Sequence, residues 1–185
     1  MQVFLETERL LLRRFTEADL DNLFDLDSDP EVMRFVGGTP TPRDEIEHDF
    51  LPAYLRYYQR GNRYGFWAAI EKATGDFLGW FHFRPLAGAS PDEPELGYRL
   101  RAAAWNQGYG TEGSRALIRK GFTELGVERV VASTFADNLA SRRVMEKAGL
   151  TLVRTYDITS VDLGDGDAVE YALEKADWER QQAEA

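Results

Sequence analysis

A single α/β domain with a mixed, twisted sheet flanked by helices is the fold this 185-residue sequence predicts, and three stretches predict it. The first is Glu95-Leu-Gly-Tyr-Arg-Leu100, a β-compatible run that leads through Gly108-Tyr-Gly110 into helix-spaced Leu117, Ile118, Gly121, Phe122 and Leu125. The second repeats that order. Residues 130–135 are β-rich, and residues 139–148 read as a helix capped by Asp137-Asn138 and closed by Gly149. The third is a pair of hairpins: residues 66–72 with 77–83 around Gly75-Asp76, and 151–161 with 167–175 around Leu163-Gly-Asp-Gly166.

The remaining elements follow in order. Residues 9–15 read as a first strand, and Thr16 as the N-cap of a helix carrying Leu20, Leu23, Phe24 and Leu26 on one face. Asp29-Pro30 breaks that helix, and residues 31–36 form a short second one. Gly37-Gly-Thr-Pro-Thr-Pro42 is a loop rich in glycine and proline, a candidate mobile lip. A longer helix spans residues 43–60, a proline-bearing loop spans 84–94, and residues 176–185 form a polar tail, helical or frayed. No composition shift or repeat divides the chain, so residues 1–185 read as one domain.

Composition narrows the function classes. A chain of this length buries about 70% of its unfolded surface without covalent staples. With no cysteine there is no disulfide, thiolate metal site or cysteine nucleophile, and no His spacing suggests a metal. No apolar run has membrane length and no signal peptide opens the chain, which makes cytoplasmic the default expectation. The net charge of −10 argues against nonspecific nucleic-acid binding. The charge is uneven, however: residues 97–149 hold nine Lys or Arg against five Asp or Glu. Residues 17–49 hold eleven acids against Arg34 and Arg43. A basic middle suits an anionic ligand, and an acidic mouth would attract a cationic acceptor; the alternative is that Asp19, Asp21, Asp25 and Glu47 only solvate helix faces away from the cleft.

The glycine turn is the chemical focus. Gly108 and Gly110 remove side chains where the unpaired N–H groups of a helix start face outward, which makes a cradle for phosphate or pyrophosphate. Gly108-x-Gly110-x-x-Gly113 also matches the dinucleotide fingerprint. That fingerprint needs a second βαβ half, and the 48 residues after Asp137 supply only a helix and a hairpin. The match reads as coincidence.

Asn138-x-x-Ser141-x-x-Val144-x-Glu146-Lys147-x-Gly149-Leu150, together with Trp105-Asn-Gln-Gly-Tyr-Gly-Thr-Glu112, resembles the GNAT superfamily of N-acetyltransferases. Within it the chain resembles the ribosomal-protein N-terminal acetyltransferase branch, from Glu8-Arg-Leu-Leu-Leu-Arg-Arg14 to the last hairpin. The resemblance implies the GNAT fold, with six or seven strands splayed beside Leu100, and acetyl-CoA as cosubstrate. It implies that the backbone from Tyr98 to Leu100 holds the pantetheine arm, with an N–H near Leu100 meeting the oxyanion. The N–H groups of Asn106, Gln107, Gly108, Gly110 and Thr111 would hold the pyrophosphate, and Asn138 would reach the arm from the other side.

Two departures stand out. Trp105 occupies a position where relatives carry Gln or Arg, and Met145 replaces the tyrosine that many relatives use as an acid. Ser141, one turn before Met145, becomes the candidate proton donor, or else simply a small residue that gives the arm room. Glu95 is the candidate base, directly or through water; its alternative is a strand-end charge bonding Arg99 or Arg101. His48 and His82 read as isolated core or surface imidazoles. Arg142 and Arg143 read as exposed helix arginines, with adenosine phosphate contact the lesser option. The function that follows is acetyl transfer from acetyl-CoA to a primary amine, such as a basic peptide or protein N-terminus, in a ternary complex. The alternatives are polyamine or aminoglycoside acetylation, or an idle acyl-CoA sensor on the same fold; homodimerisation is left open.

Overall fold

The computed structural model describes residues 2–160 and 164–184. Eight strands form one sheet in the order β1-β2-β3-β4-β5-β6-β8-β7. They are β1 (Val3–Glu6), β2 (Leu10–Arg14), β3 (Gly65–Glu71), β4 (Phe77–Pro85), β5 (Pro94–Leu100), β6 (Arg129–Phe135), β7 (Thr151–Ser160) and β8 (Gly164–Glu174). Among the described residues every pairing is antiparallel except that of β5 with β6, so the sheet is mixed as expected. The count of six or seven falls short by β1, whose four residues are too few and too exposed to announce themselves by alternation. The end of the 151–161 strand and the start of the turn at Leu163 lie outside the described residues.

Helices cover both faces. On one lie α1 (Leu20–Asp27), α2 (Pro30–Met33), α3 (Arg43–Glu45) and α4 (Leu51–Tyr57), the last two joined through a π-turned stretch, Ile46–Phe50. On the other lie α5 (Tyr109–Glu124), α6 (Leu139–Lys147) and α7 (Lys175–Ala183), the helical option for the polar tail. Thr16 opens the first helical segment as expected: Asp19 accepts from the Thr16 N–H at 2.8 Å. The second helix begins at Pro30 and ends at Met33, because proline suits the first helical position and Asp29 caps the Glu31 N–H.

Two cores result, one per face. Phe81, Phe83, Leu96, Leu100, Leu117 and Ile118 belong to the α5–α6 side. Phe15, Leu26, Ile46, Tyr54, Phe77 and Trp80 belong to the α1–α4 side. Phe77 and Trp80 are three apart, which simple alternation would send to opposite faces. A bulge resolves this: Gly79 pairs with Ala69 while Phe77 pairs with Ile70, so β4 spends one extra residue there. Gly79 is also the point of closest approach to β5. Its φ is +136°, and a Cβ would sit 2.1 Å from the Arg99 carbonyl oxygen.

Candidate active site

The site begins where the parallel pair fails. β5 and β6 share one register pair, Glu95 with Val131, whereas β4 and β5 stay paired from Pro94 to Leu100. The strands therefore part beyond Glu95, which is the expected splay. The Arg101 N–H donates to the Leu78 carbonyl of β4 at 2.8 Å. Alternation then turns the N–H groups of Leu100 and Tyr98 away from β4, into the splay. The Leu100 carbonyl on that side is already taken by the Trp105 indole N–H at 2.8 Å. Trp105 thus fixes the end of β5, a positioning contact that a charged residue there would not have predicted.

The glycine turn lies beside this opening. Gly108 is left-handed at φ +86° and N-caps α5, and Asn106 at φ +59° is left-handed too. The first intrahelical bond is Glu112 N–H to the Gly108 carbonyl, which leaves the Tyr109, Gly110 and Thr111 N–H groups without helical partners. Asn106, Gln107 and Gly108 are exposed and Thr111 half-buried, while Gly110 packs inward toward Val144 and Tyr98. An unpaired set of N–H groups at a 16-residue helix fits a pyrophosphate, and the N–H groups of the splay fit a pantetheine arm. Arg9 braces the turn: it donates to Glu112 at 2.7 Å and to the Gln107 carbonyl at 2.9 Å, and stacks over Tyr109 at 4.4 Å. Gly113 of the dinucleotide-like string has a packing role, since a Cβ would meet the Phe81 ring at 2.3 Å.

Across the splay, Ser141 faces Tyr98. Their side-chain oxygens are 3.0 Å apart, and burial pushes the Tyr98 hydroxyl up to about 12. Ser141 therefore has a hydroxyl partner within the splay. Asn138 caps α6, accepting from the Ser141 N–H at 3.2 Å and donating to Thr134 at 3.1 Å; one amide hydrogen and one lone pair stay free. Met145 is 3% exposed and lies in the α5–α6 core, with no proton to give. Arg142 bonds the Tyr171 hydroxyl and the Ala136 carbonyl, so it braces α6 against β8, while Arg143 is exposed.

The odd residues of β5 point to the α1–α4 face. Glu95 sits there with its carboxylate 3.7 Å from His82 Nε2. Burial raises the Glu95 carboxyl above the ordinary range, opposed by Arg84 and reinforced by Glu170. His82 is not isolated: it stacks on Phe66 and leans over Gly97, where a Cβ would lie 1.9 Å from Nε2. Burial, with Arg84 and Arg99 nearby, lowers its pKa to about 3, so the imidazole is neutral at pH 7. The alternative for Glu95, a bond to Arg99 or Arg101, is not what the arginines do. Arg99 pairs with buried Asp27 at 2.6 Å and Arg101 approaches Asp25 at 3.8 Å. His48 is a surface imidazole on the Asp44 carbonyl.

The acidic mouth is more neutral than composition suggested. Asp19 is 1% exposed and bonded by Arg13, and Asp21 pairs with Arg43. With Asp25 and Asp27 facing Arg101 and Arg99, three bases from other parts of the chain, Arg13 included, answer a third of the excess of nine. Only the fold reveals this.

Comparison with known proteins agrees with the geometry. The acetyltransferase (GNAT) domain family matches residues 9–151. An Aspergillus fumigatus protein, FsC-acetyl coenzyme A-N(2)-transacetylase, is 34% identical across 98% of this chain and 80% of its own length. A Bacillus subtilis uncharacterized N-acetyltransferase, YoaA, is 32% identical over 78% of this chain and 81% of its own. Among solved structures, the ribosomal alpha-N-protein acetyltransferase RimL in complex with coenzyme A superposes with a TM-score of 0.79 at 19% identity, covering 94% of this chain and 98% of that one. No helix among the described residues is long and apolar enough to cross a membrane, and no metal-binding group of side chains is present among them. A strand with free N–H groups at a splay, a glycine-capped helix beside it and a family match across most of the chain have one meaning: the chain belongs to the GNAT family and is an acetyl-CoA-dependent N-acetyltransferase.

Proposed function

We propose that this enzyme acetylates a primary amine by direct transfer in a ternary complex, with a protein N-terminus or another cationic amine as acceptor. The observation that carries the reading is the double use of β5: its even residues offer N–H groups to the splay, and its odd residues present Glu95 beside the same opening. Bound acetyl-CoA supplies a thioester carbonyl as the electrophile. The Leu100 N–H is aimed to stabilise negative charge building on that carbonyl oxygen. Glu95, its carboxyl raised by burial, takes the proton that the amine loses as the C–N bond forms. Ser141, backed by the Tyr98 hydroxyl, donates a hydrogen bond to the departing thiolate, which takes a proton from solvent as Glu95 releases the amine's proton to solvent, so protons balance over the reaction. An α-amine, at a reference pKa of about 8, needs less help than a lysine at about 10.4.

A small-molecule acceptor is the second reading, favoured by the name of the Aspergillus relative, a coenzyme A-dependent N(2)-transacetylase. Acetyl-CoA-dependent thiol release across a panel of peptides, polyamines and aminoglycosides tests both. Peptide-dependent release supports the first, and release with small amines alone replaces it with the second.

A further inference from the structure

Arg9 lies 98 residues before Gln107 in sequence and against it in space. The turn between β1 and β2 holds Thr7, Glu8 and Arg9, and its donors converge on one carboxylate of α5. Glu112 accepts from the Thr7 hydroxyl at 2.6 Å, the Arg9 backbone N–H at 2.9 Å and Arg9 Nε at 2.7 Å. Arg9 Nη2 is 2.6 Å from the same carboxylate, so the guanidinium grips it with two prongs. The remaining prong, Nη1, donates to the Gln107 carbonyl at 2.9 Å. The guanidinium also rests on the Tyr109 ring, and the Tyr109 hydroxyl is bonded to Glu71 of β3.

The turn it grips needs holding. Gln107 lies between two left-handed residues, Asn106 at φ +59° and Gly108 at φ +86°. A non-glycine residue keeps that conformation only where its surroundings fix it. Arg9 fixes the one carbonyl between the two, and through Glu112 it fixes the first turn of α5. A Cβ on Gly108 would stand 3.3 Å from Arg9 Nη2, which puts the guanidinium at the turn itself. Charge adds a second reason. Burial pushes the Glu112 carboxyl up, but the bonds from Thr7 and Arg9 outweigh it and hold it below the ordinary range. Glu112 is therefore an anion at neutral pH, and Arg9 answers a charge that would otherwise oppose a pyrophosphate at the same helix start.

We propose that Arg9 is a positioning residue for the coenzyme: by holding Gln107 and Glu112 at once, it keeps the glycine turn in the form that takes the pyrophosphate. This rests on the reading that the turn holds that pyrophosphate, and deepens it. The effect of Arg9 belongs to the phosphate end of the coenzyme and not to the chemistry at the thioester.

The test measures Kd by calorimetry for two probes in the wild type, Arg9→Gln and Arg9→Lys, with ligand-free melting curves confirming that each variant folds. Dephospho-CoA lacks the 3′-phosphate of coenzyme A but keeps the pyrophosphate. Pantetheine, measured by its displacement of dephospho-CoA, ends before the pyrophosphate. Neither carries an acetyl group, so no turnover intervenes. A hydrogen bond to a charged group corresponds to about ten- to hundredfold in affinity, so the Kd of dephospho-CoA is expected to rise at least about tenfold in Arg9→Gln, and that of pantetheine by much less. Lysine keeps a charge beside Glu112 but has no fork to hold Glu112 and Gln107 together, so most of the rise should remain in Arg9→Lys. Should Arg9→Gln fail to fold, Arg9→Lys carries the test by the same comparison. An unchanged Kd, an equal rise for both probes, or full recovery with lysine overturns the bracing and leaves the pyrophosphate reading intact. If wild-type enzyme binds dephospho-CoA no more tightly than pantetheine, the pyrophosphate reading falls, and the bracing with it.

Discussion

The two faces of the β4–β5 pair are made from alternate residues of the same two strands, yet they are finished differently. On the α5–α6 face, Phe81, Phe83, Leu96 and Leu100 pack with almost no exposure, and the Tyr98 hydroxyl is paired with Ser141. On the α1–α4 face, Trp80, His82, Arg84 and Arg99 each keep a buried nitrogen without a hydrogen-bond partner among the described residues, around a Gly97 that makes room for His82. The coenzyme side we propose offers backbone: strand N–H groups in the splay and helix N–H groups at Gly108. The acceptor side we propose, beside Glu95, offers side chains. Backbone groups recognise a ligand through glycine and strand geometry, which many sequences can supply. Side-chain donors recognise it through particular residues, and those set the substrate.

The sharpest way to break this contrast is Gly108→Asp. The position is left-handed, and a carboxylate there would repel the pyrophosphate at the turn where we propose it binds. Saturating acetyl-CoA stabilises a binding protein by about 2.7 kcal/mol at a hundredfold excess over Kd, and that rise in Tm is expected to vanish in the variant. NAD is expected to give no rise in either protein.

On the other face, Glu95→Gln is expected to lower kcat by about 10²- to 10⁴-fold while leaving acetyl-CoA affinity unchanged. Burial raises the Glu95 carboxyl, so wild-type activity should climb with pH along a limb above the usual carboxylate range. The limb should be missing from the variant's pH–rate profile.

Two glycine substitutions then separate the faces by kinetics. A methyl on Gly113 meets Phe81 at 2.3 Å, and one on Gly97 meets His82 Nε2 at 1.9 Å. Each alanine should cost about 1–3 kcal/mol by overpacking. Gly97→Ala should also raise the acceptor's KM by displacing His82, whereas Gly113→Ala should show only the fall in Tm.

His82 offers a sharper view of the acceptor face through acid stability. Its pKa falls from 6.5 in the unfolded chain to about 3 in the fold, so between those values the unfolded state binds more protons. Stability contributed by the neutral imidazole is complete above pH 6.5 and is lost as pH falls toward 3. Urea midpoints at pH 7 and pH 4.5 should differ less in His82→Gln than in the wild type. The smallest effect belongs to Ser141→Ala, where the Tyr98 hydroxyl remains in place: a drop of less than about tenfold in kcat, measured at saturating acetyl-CoA.

What the sequence determined by itself is local. Periodicity placed β5, α5, β6 and α6 to within a residue or two, and the Gly108 turn, the Asn138 cap and the Gly149 stop each carried their own backbone signature. Those signals are legible because cap, turn and helix-start chemistry is settled within a few residues of chain. Strand β1 was silent because four half-exposed residues show no period. The tertiary structure decided what depends on distant partners. Asp19 and Asp25 counted toward an acidic mouth until Arg13 and Arg101 came across from other elements. His82 looked isolated because Glu95 and Gly97 lie thirteen and fifteen residues on, and only the β4–β5 register brings them beside it. Even the face on which Trp80 sits turns on the bulge at Gly79, which shifts β4 by one residue relative to β3. Charge compensation and side-chain pairing are properties of register, and register is fixed by the whole sheet, not by any one strand.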